Sequence, residues 1–341
     1  MDESHQQHGE RLKRGEFMRY LEPSSIVIYE EQKDENDLRI KNMLEPYQEG
    51  NRYDVGIVGV PFDYGVELSK GRVGAKGGPD AVRKALKKYG TAYNIERKID
   101  LGGLKVCDFG DVEVLERDSE GTHLRVSDVV ARIIKGGIVP VVIGGGHDIS
   151  FANVRGLCDS VNAGVGGINI DAHFDVRKVV NGRATSGTAF RRIIEELDGR
   201  VEGRNFVEIG AHDNLNSRIY HEYLMHKNVS VVTLNEIRKR GMPAVMIGAL
   251  KRVDSEADAS FVSIDMDSMP QHIAPGCSAP SADGIETTDI LDACFIAGAD
   301  RNLKLLDIME INPKYDVDSR TAILAATMIV SFLNGFATRR K

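Results

Sequence analysis

From Tyr53 onward, short runs rich in β-branched residues alternate with longer amphipathic ones. Strands separated by helices must be joined by crossovers rather than hairpins, and crossovers build a mostly parallel sheet with helices packed on its faces. The expected strands are 55–60, 104–108, 138–143, 165–170, 206–210, 229–233, 261–264 and 303–308, about eight in one sheet. Helices are expected over 80–89, 126–135, 188–197, 217–226, 288–297 and 321–333. No long linker or internal repeat interrupts the chain after Tyr53, so residues 51–341 are expected to form a single α/β domain. Residues 1–50 are highly charged and punctuated by Pro23-Ser24-Ser25 and Glu45-Pro46, which suits a partly ordered N-terminal extension. His5 and His8 read as solvated residues of that extension.

Charge and cysteine content remove several function classes. The 51 acidic side chains outnumber 44 basic ones, for a net charge of -7, and no block of Lys and Arg is available to neutralise phosphates. No nucleic-acid partner is expected. Cys107, Cys158, Cys277 and Cys294 are widely spaced and form no C-x-x-C pair, which suits reduced core thiols in a cytoplasmic protein. The polar stretch 1–14 holds no signal-peptide core, and the apolar run 322–333 falls short of the roughly 18–20 residues of a membrane span. It reads as a buried helix, and no membrane is expected.

The chemistry lies where charged residues follow directly on buried strands, because an unpaired buried carboxylate costs more than packing returns. Ile168-Asn-Ile170 runs into Asp171-Ala-His173-Phe-Asp175, and in an extended chain i, i+2 and i+4 point to one side. Phe261-Val-Ser-Ile264 runs into Asp265-Met-Asp267, and Val141-Val-Ile143 into three glycines and His147. In a parallel sheet these strand ends share the carboxyl edge, where α/β sheets place their sites. Four carboxylates so close cannot all stay ionised without cations between them. Six ligands are too many for one tetrahedral zinc and suit two metals with bridging carboxylates. Oxygen-rich ligands with two imidazoles favour Mn²⁺ over thiol-seeking metals, although affinity order alone favours other first-row ions. His123, His212, His221, His226 and His272 lack such partners, and His212 alone leaves a strand at the same edge. Gly71 to Pro79 lacks a P-loop ending, and Gly164-Val-Gly166-Gly167 lacks the strand-turn-helix context of a dinucleotide fingerprint, so neither a phosphate loop nor a nicotinamide or flavin site is expected.

These motifs, in this order and spacing from Tyr53 to the C-terminus, resemble the ureohydrolase superfamily of arginase, agmatinase and formimidoylglutamase. The resemblance implies a three-layer α/β/α catalytic domain with two Mn²⁺ ions per subunit, in a homo-oligomer, trimer or hexamer. By it, His147, Asp171, Asp175 and Asp265 hold one ion and Asp171, His173, Asp265 and Asp267 the other, with Asp171 and Asp265 bridging. Gly78-Pro79-Asp80-Ala81-Val82-Arg83 matches the family's early G-P-x-x-[IV]-R. Gly144-Gly-Gly-His147-Asp148, Ser186-Gly187-Thr188-Ala189-Phe190 and Ala274-Pro275-Gly276-Cys277-Ser278-Ala279-Pro280 are similar to formimidoylglutamases in particular. Ala189 and Cys277 depart from that pattern. Glu310, in Asp307-Ile-Met-Glu310-Ile-Asn-Pro313, looks like the superfamily's acidic residue facing the cationic carbon-nitrogen group.

The implied reaction is hydrolysis of a linear amidine: metals acidify a shared water, the resulting bridging hydroxide attacks the central carbon, and Asp175 carries a proton to the leaving amine. For N-formimidoyl-L-glutamate the products are L-glutamate and formamide, a step of histidine degradation. Two substrate carboxylates call for arginine. Arg177 is nearest in sequence to the ligands, with Arg72, Arg183 and Arg191 as further candidates, and Ser186, Thr188 and Asn216 as hydrogen-bonding residues. The alternatives are a guanidino-compound ureohydrolase that releases urea, and an inert metal-binding interaction protein of the same fold.

Overall fold

The computed structural model describes residues 17–340, so His5 and His8 lie outside the described residues. Twelve strands occur among the described residues: β1 (Leu21–Glu22), β2 (Leu44–Pro46), β3 (Val55–Gly59), β4 (Tyr93–Asn94), β5 (Ile99–Asp100), β6 (Val106–Val112), β7 (Val139–Ile143), β8 (Val165–Ile170), β9 (Phe206–Ala211), β10 (Ser230–Thr233), β11 (Ala259–Asp265) and β12 (Leu303–Met309). β4 and β5 pair only with each other, and the other ten form one sheet in the order β1-β6-β3-β7-β12-β11-β8-β9-β10, with β2 also on β6. The expectation of about eight strands is therefore corrected to ten. All eight expected strands are present, and β1 and β2 add two from the first fifty residues. At two and three residues, these are too short to show a period-two pattern. Within the large sheet only β1 runs antiparallel to its neighbour.

Alternate strand residues enter two separate cores. Val141, Ile143, Ile168, Ile170, Ile264 and Ile308 join one, with residues of the helices Gly78–Lys87, Met242–Val253, Thr287–Ala299 and Arg320–Ala337. Val142, Phe206, Phe261 and Leu305 join the other, with residues of Ser119–Lys135, Ile149–Ser160 and Ala189–Glu196. The result is three layers, α/β/α. Covering on both faces explains why β3, β7 and β8 are buried at every residue and, Asn169 of β8 apart, apolar without alternation.

All six expected helices form. The one expected at 126–135 begins earlier, at Ser119, where the Asp118 carboxylate accepts the Gly121 N–H and caps it. Ile149–Ser160 was not expected, because nine of its residues, including Ser150 and Asn153, are buried and leave it no polar face to mark its period. Leu234–Arg240 and Met242–Val253 were also missed. The final helix extends beyond the apolar run 322–333 to 18 residues, and its length and composition would suffice to cross a membrane, yet 72% of it is buried inside the fold. Gly71 to Pro79 is the expected turn: Gly74, at φ 138, leads into a tight turn at Ala75–Gly77, and Pro79 occupies the first turn of the next helix. Arg83 of that helix is fully buried, with its guanidinium on both oxygens of Asp108, on Asp111 and on the Gly110 carbonyl. All four cysteines are buried and free.

Candidate active site

Four adjacent parallel strands in the middle of the sheet, β7, β12, β11 and β8, run into His147, Glu310, Asp265 and Asp171 respectively. The convergence expected at the carboxyl edge is present, but its local cause differs from an extended chain. β8 ends at Ile170 and β11 at Asp265. Asp171 Oδ1 then accepts the His173 N–H at 2.7 Å, and Asp265 Oδ1 accepts the Asp267 N–H at 2.7 Å. Both D-x-H and D-x-D are thus Asx turns, in which a short carboxylate bonds its own backbone two residues on. Asn216 braces the first turn, accepting the Phe174 N–H and donating to the Ala172 carbonyl.

The six expected ligands fall into two clusters whose donor atoms lie within 4.8 Å of one another: His147, Asp171, Asp175 and Asp265, and then Asp171, His173 and Asp267. Asp171 is common to both. Asp265 meets this spacing only in the first, although the resemblance placed it in both. His147 Nδ1 stands 3.3, 3.2 and 3.0 Å from oxygens of Asp171, Asp175 and Asp265, yet it makes no hydrogen bond, and Asp171 Oδ2 and Asp267 Oδ1 are likewise buried without one. His173 Nδ1 lies 3.5 Å from Asp171 and 3.3 Å from Asp267.

These separations fit a metal better than a set of hydrogen bonds. Oxygen and nitrogen ligands about 2.1 Å from a divalent ion, at right angles, stand about 3.0 Å from each other. The buried donors have no other partner to satisfy them. The electrostatics agree. Burial, and then the Asp171 charge, pushes Asp175 up to about 6, and burial followed by neighbouring carboxylates raises Asp265 and drives Asp267 well above the usual range. For His173, burial works against the charged form, but Asp171 and Asp267 override it and push the ring up to about 12. His147 is likewise raised despite its burial, by Asp171, Asp175 and Asp265. Burial also opposes ionisation of Asp171, yet the two imidazoles hold it well below the usual range. The protons and imidazolium charges compensate a density of carboxylate that two cations would neutralise.

Above the clusters lies a cavity of about 310 Å³, lined by His173, Asp175, Asp265, Asp267 and Glu310 at its floor and by Ser69, Lys70, Gly71, Arg177, Ser186 and Ser278 among others. Glu310 Oε1 accepts the His147 N–H at 2.9 Å, which leaves Oε2 buried and unpartnered. Arg177 and Ser186 reach the cavity as expected, whereas Thr188 and Asn216 do not line it. Thr188 closes the turn before its helix by bonding Thr185, and the Asn216 amide is occupied by the Asx turn. Of the other arginines, Arg72 stacks on Tyr315, Arg191 on Tyr223, and Arg183 closes a tight turn with Val180.

A family model, the arginase family, matches residues 53–334. The chain belongs to the arginase family. Among arginase-family relatives, formimidoylglutamase of Halalkalibacterium halodurans is 32% identical over 290 residues, covering 84% of this chain and 89% of that protein. That of Bacillus subtilis is 30% identical over 280 residues, covering 81% and 86%. A formiminoglutamase of Trypanosoma cruzi, solved with Mn²⁺, superposes with a TM-score of 0.83 at 33% identity, over 89% of this chain and all but 1% of that one, 99% being covered. The Bacillus subtilis formimidoylglutamase structure superposes with a TM-score of 0.84 at 27% identity, over 90% and 94%. Within this arginase-family fold, Lys70 and Ser69 are cavity residues that the sequence did not mark, and Ser278 is one it marked only as part of the 274–280 motif. They come from loops remote in sequence, and only the hydroxyl contacts Ser69 to Ser186 at 3.1 Å and Arg72 N–H to Ser278 at 3.2 Å gather them. His212 does not line the cavity and carries a ring nitrogen without a partner. His123 is a satisfied core histidine, on Asp148 at 2.9 Å.

Proposed function

We propose that the protein is a binuclear-Mn²⁺ hydrolase that cleaves N-formimidoyl-L-glutamate to L-glutamate and formamide. The observation that carries this reading is one cavity with an acidic floor and two rim cations, Arg177 and Lys70, neither of which has an acidic partner among the described residues. A cationic amidine suits the floor and two carboxylates suit the rim. The similarity to formimidoylglutamases over most of the chain supports the same substrate.

His147, Asp171, Asp175 and Asp265 would hold one ion, and Asp171, His173 and Asp267, with Asp265, the other. Bound there, the ions supply Lewis-acid activation of water near neutral pH and electrostatic stabilisation of the charge that develops on the attacked carbon's substituents. The protein groups do the rest. Arg177 and Lys70 hold the carboxylates and set the depth of the amidine, while Ser186 donates or accepts beside them. Glu310 Oε2 accepts a hydrogen bond from the amidinium and fixes its plane. Asp175 takes the water proton and returns it to the glutamate nitrogen as the carbon-nitrogen bond breaks. Residues 51–341 form the catalytic unit, and the free cysteines suit a cytoplasmic setting.

The test is a product assay on Mn²⁺-loaded protein offered formimidoylglutamate and a panel of guanidino compounds. Glutamate and formamide are the expected products. Urea from a guanidino compound overturns the substrate, and no product from any amidine overturns the hydrolase.

A further inference from the structure

One row of polar residues crosses the sheet beneath the ligand clusters. Asp307 on β12, Ser263 on β11, Asn169 on β8 and Glu208 on β9 are in register on successive strands, and none is more than 1% exposed. Ser263 and Asn169 stand two residues before Asp265 and Asp171, on the same side of their strands. Buried polar side chains cost free energy unless they bond one another, so such a row needs a reason.

The helix Ile149–Ser160 packs on this face and closes the row from above. Asn153 donates to Asp307 Oδ2 at 2.9 Å, and Ser150 Oγ lies 3.1 Å from Ser263 Oγ. Burial raises the pKa of the Asp307 carboxylate, whose Oδ1 has no hydrogen-bond partner. The same Ser263 Oγ lies 3.0 Å from Nε2 of His147, whose other nitrogen faces three carboxylates. A neutral imidazole has one donor and one acceptor nitrogen, and the group bonded to the first decides which nitrogen is left bare. With the Ser263 hydroxyl donated to Ser150 Oγ, its oxygen is an acceptor for Nε2–H.

We propose that Ser263, held by Ser150, is a positioning residue: it accepts the Nε2 proton of His147 and so presents a bare Nδ1 to the ion of the first cluster. The inference rests on the binuclear reading above. The arrangement is a hydroxyl-histidine-metal chain, and hydrogen-bonding partners of a ligating histidine typically change metal affinity by about 10–100-fold. No hydrogen bond reaches Nε2 of His173 from the described residues, and its ring is held from the Asp171 and Asp267 side. The relay therefore acts on one ion of the two.

The test is Mn²⁺ titration by calorimetry of metal-free wild type, Ser263→Ala and Ser263→Thr, with thermal unfolding of each metal-free protein as the control for folding. Ser263→Ala is expected to weaken one site by about 10–100-fold and spare the other, while Ser263→Thr, which keeps the oxygen, binds as wild type. Wild-type binding at both sites by Ser263→Ala overturns the relay, as does equal weakening of both sites or failure of Thr to rescue. If Ser263→Ala does not fold, Ser150→Ala, which removes the acceptor of the Ser263 hydroxyl, reads the same relay, and unaltered binding by that variant overturns it. A wild type that binds no Mn²⁺ overturns the binuclear reading and the relay with it.

Discussion

Asp175 and Glu310 share an uncommon backbone: φ is 47 at the first and 64 at the second. A left-handed conformation in a non-glycine residue costs about 1–3 kcal/mol and persists where surrounding bonds impose it. Here the Glu310 N–H donates to the Gly145 carbonyl at 2.9 Å, and the Asp175 carbonyl accepts the Phe190 N–H at 3.2 Å. The turn of the chain carries both carboxylates off their strand ends toward the cavity. Glu310→Gln keeps the acceptor for the His147 N–H and removes the charge at Oε2, so kcat/KM should fall by about 10–100-fold, the worth of one charge-assisted hydrogen bond, with Mn²⁺ stoichiometry intact by metal analysis. Arg177→Ala should raise KM for formimidoylglutamate by at least about 10-fold. Arg177→Lys should restore little of it, because a point charge cannot replace a bidentate fork. An unchanged KM in both variants would remove Arg177 from the substrate site.

At the scale of elements, the helix Gly78–Lys87 is pinned to β6 through Arg83, which faces Asp108 at 2.8 Å and Asp111 at 2.6 Å. Burial alone would lower the guanidinium's pKa, but the two aspartates hold it raised. The arginine of the G-P-x-x-V-R motif is therefore a structural lock, far from the metal clusters in role. Removing one partner of a buried ion pair leaves the others uncompensated, so Arg83→Ala should cost about 3–5 kcal/mol in urea unfolding while the folded fraction keeps wild-type kcat. A loss of kcat without loss of stability would place Arg83 in the reaction instead. The first residue of this helix, Gly78, tolerates no side chain, because a Cβ there would lie 2.7 Å from the Ile311 carbonyl.

For the whole molecule, metal and pH are linked through the clusters. The carboxylates Asp175, Asp265 and Asp267 have raised pKa values when folded, and so do both imidazoles. Each raised group binds more protons folded than unfolded, so its contribution is present at low pH and is lost as pH rises, for Asp175 through about 6 and for His173 only toward about 12. Depressed Asp171 acts oppositely, but only at the acid end. Metal-free protein should therefore unfold at a lower temperature at pH 8 than at pH 5, and saturating Mn²⁺ should reverse that order, adding about 2.7 kcal/mol at 100 times Kd. A metal-free melting temperature that does not fall between these two pH values would sink the account. The α/β class, eight of the ten strands and the six residues that gather at the carboxyl edge were legible in the chain, because strand periodicity and a charge after a buried run are local signals. β1, β2 and the buried helix Ile149–Ser160 were not legible, since two or three residues carry no period and a helix buried nearly all round has no polar face. What the sequence determined by itself is which residues end the strands. Only the tertiary structure decided that Asx turns aim them, that Lys70 shares a cavity with Arg177, that Asn216 and Thr188 brace loops, and that Ser263 lies under His147. Those relations join segments up to 116 residues apart, as Ser263 and His147 are, and no local pattern encodes a contact that exists only once the sheet has set its strand order.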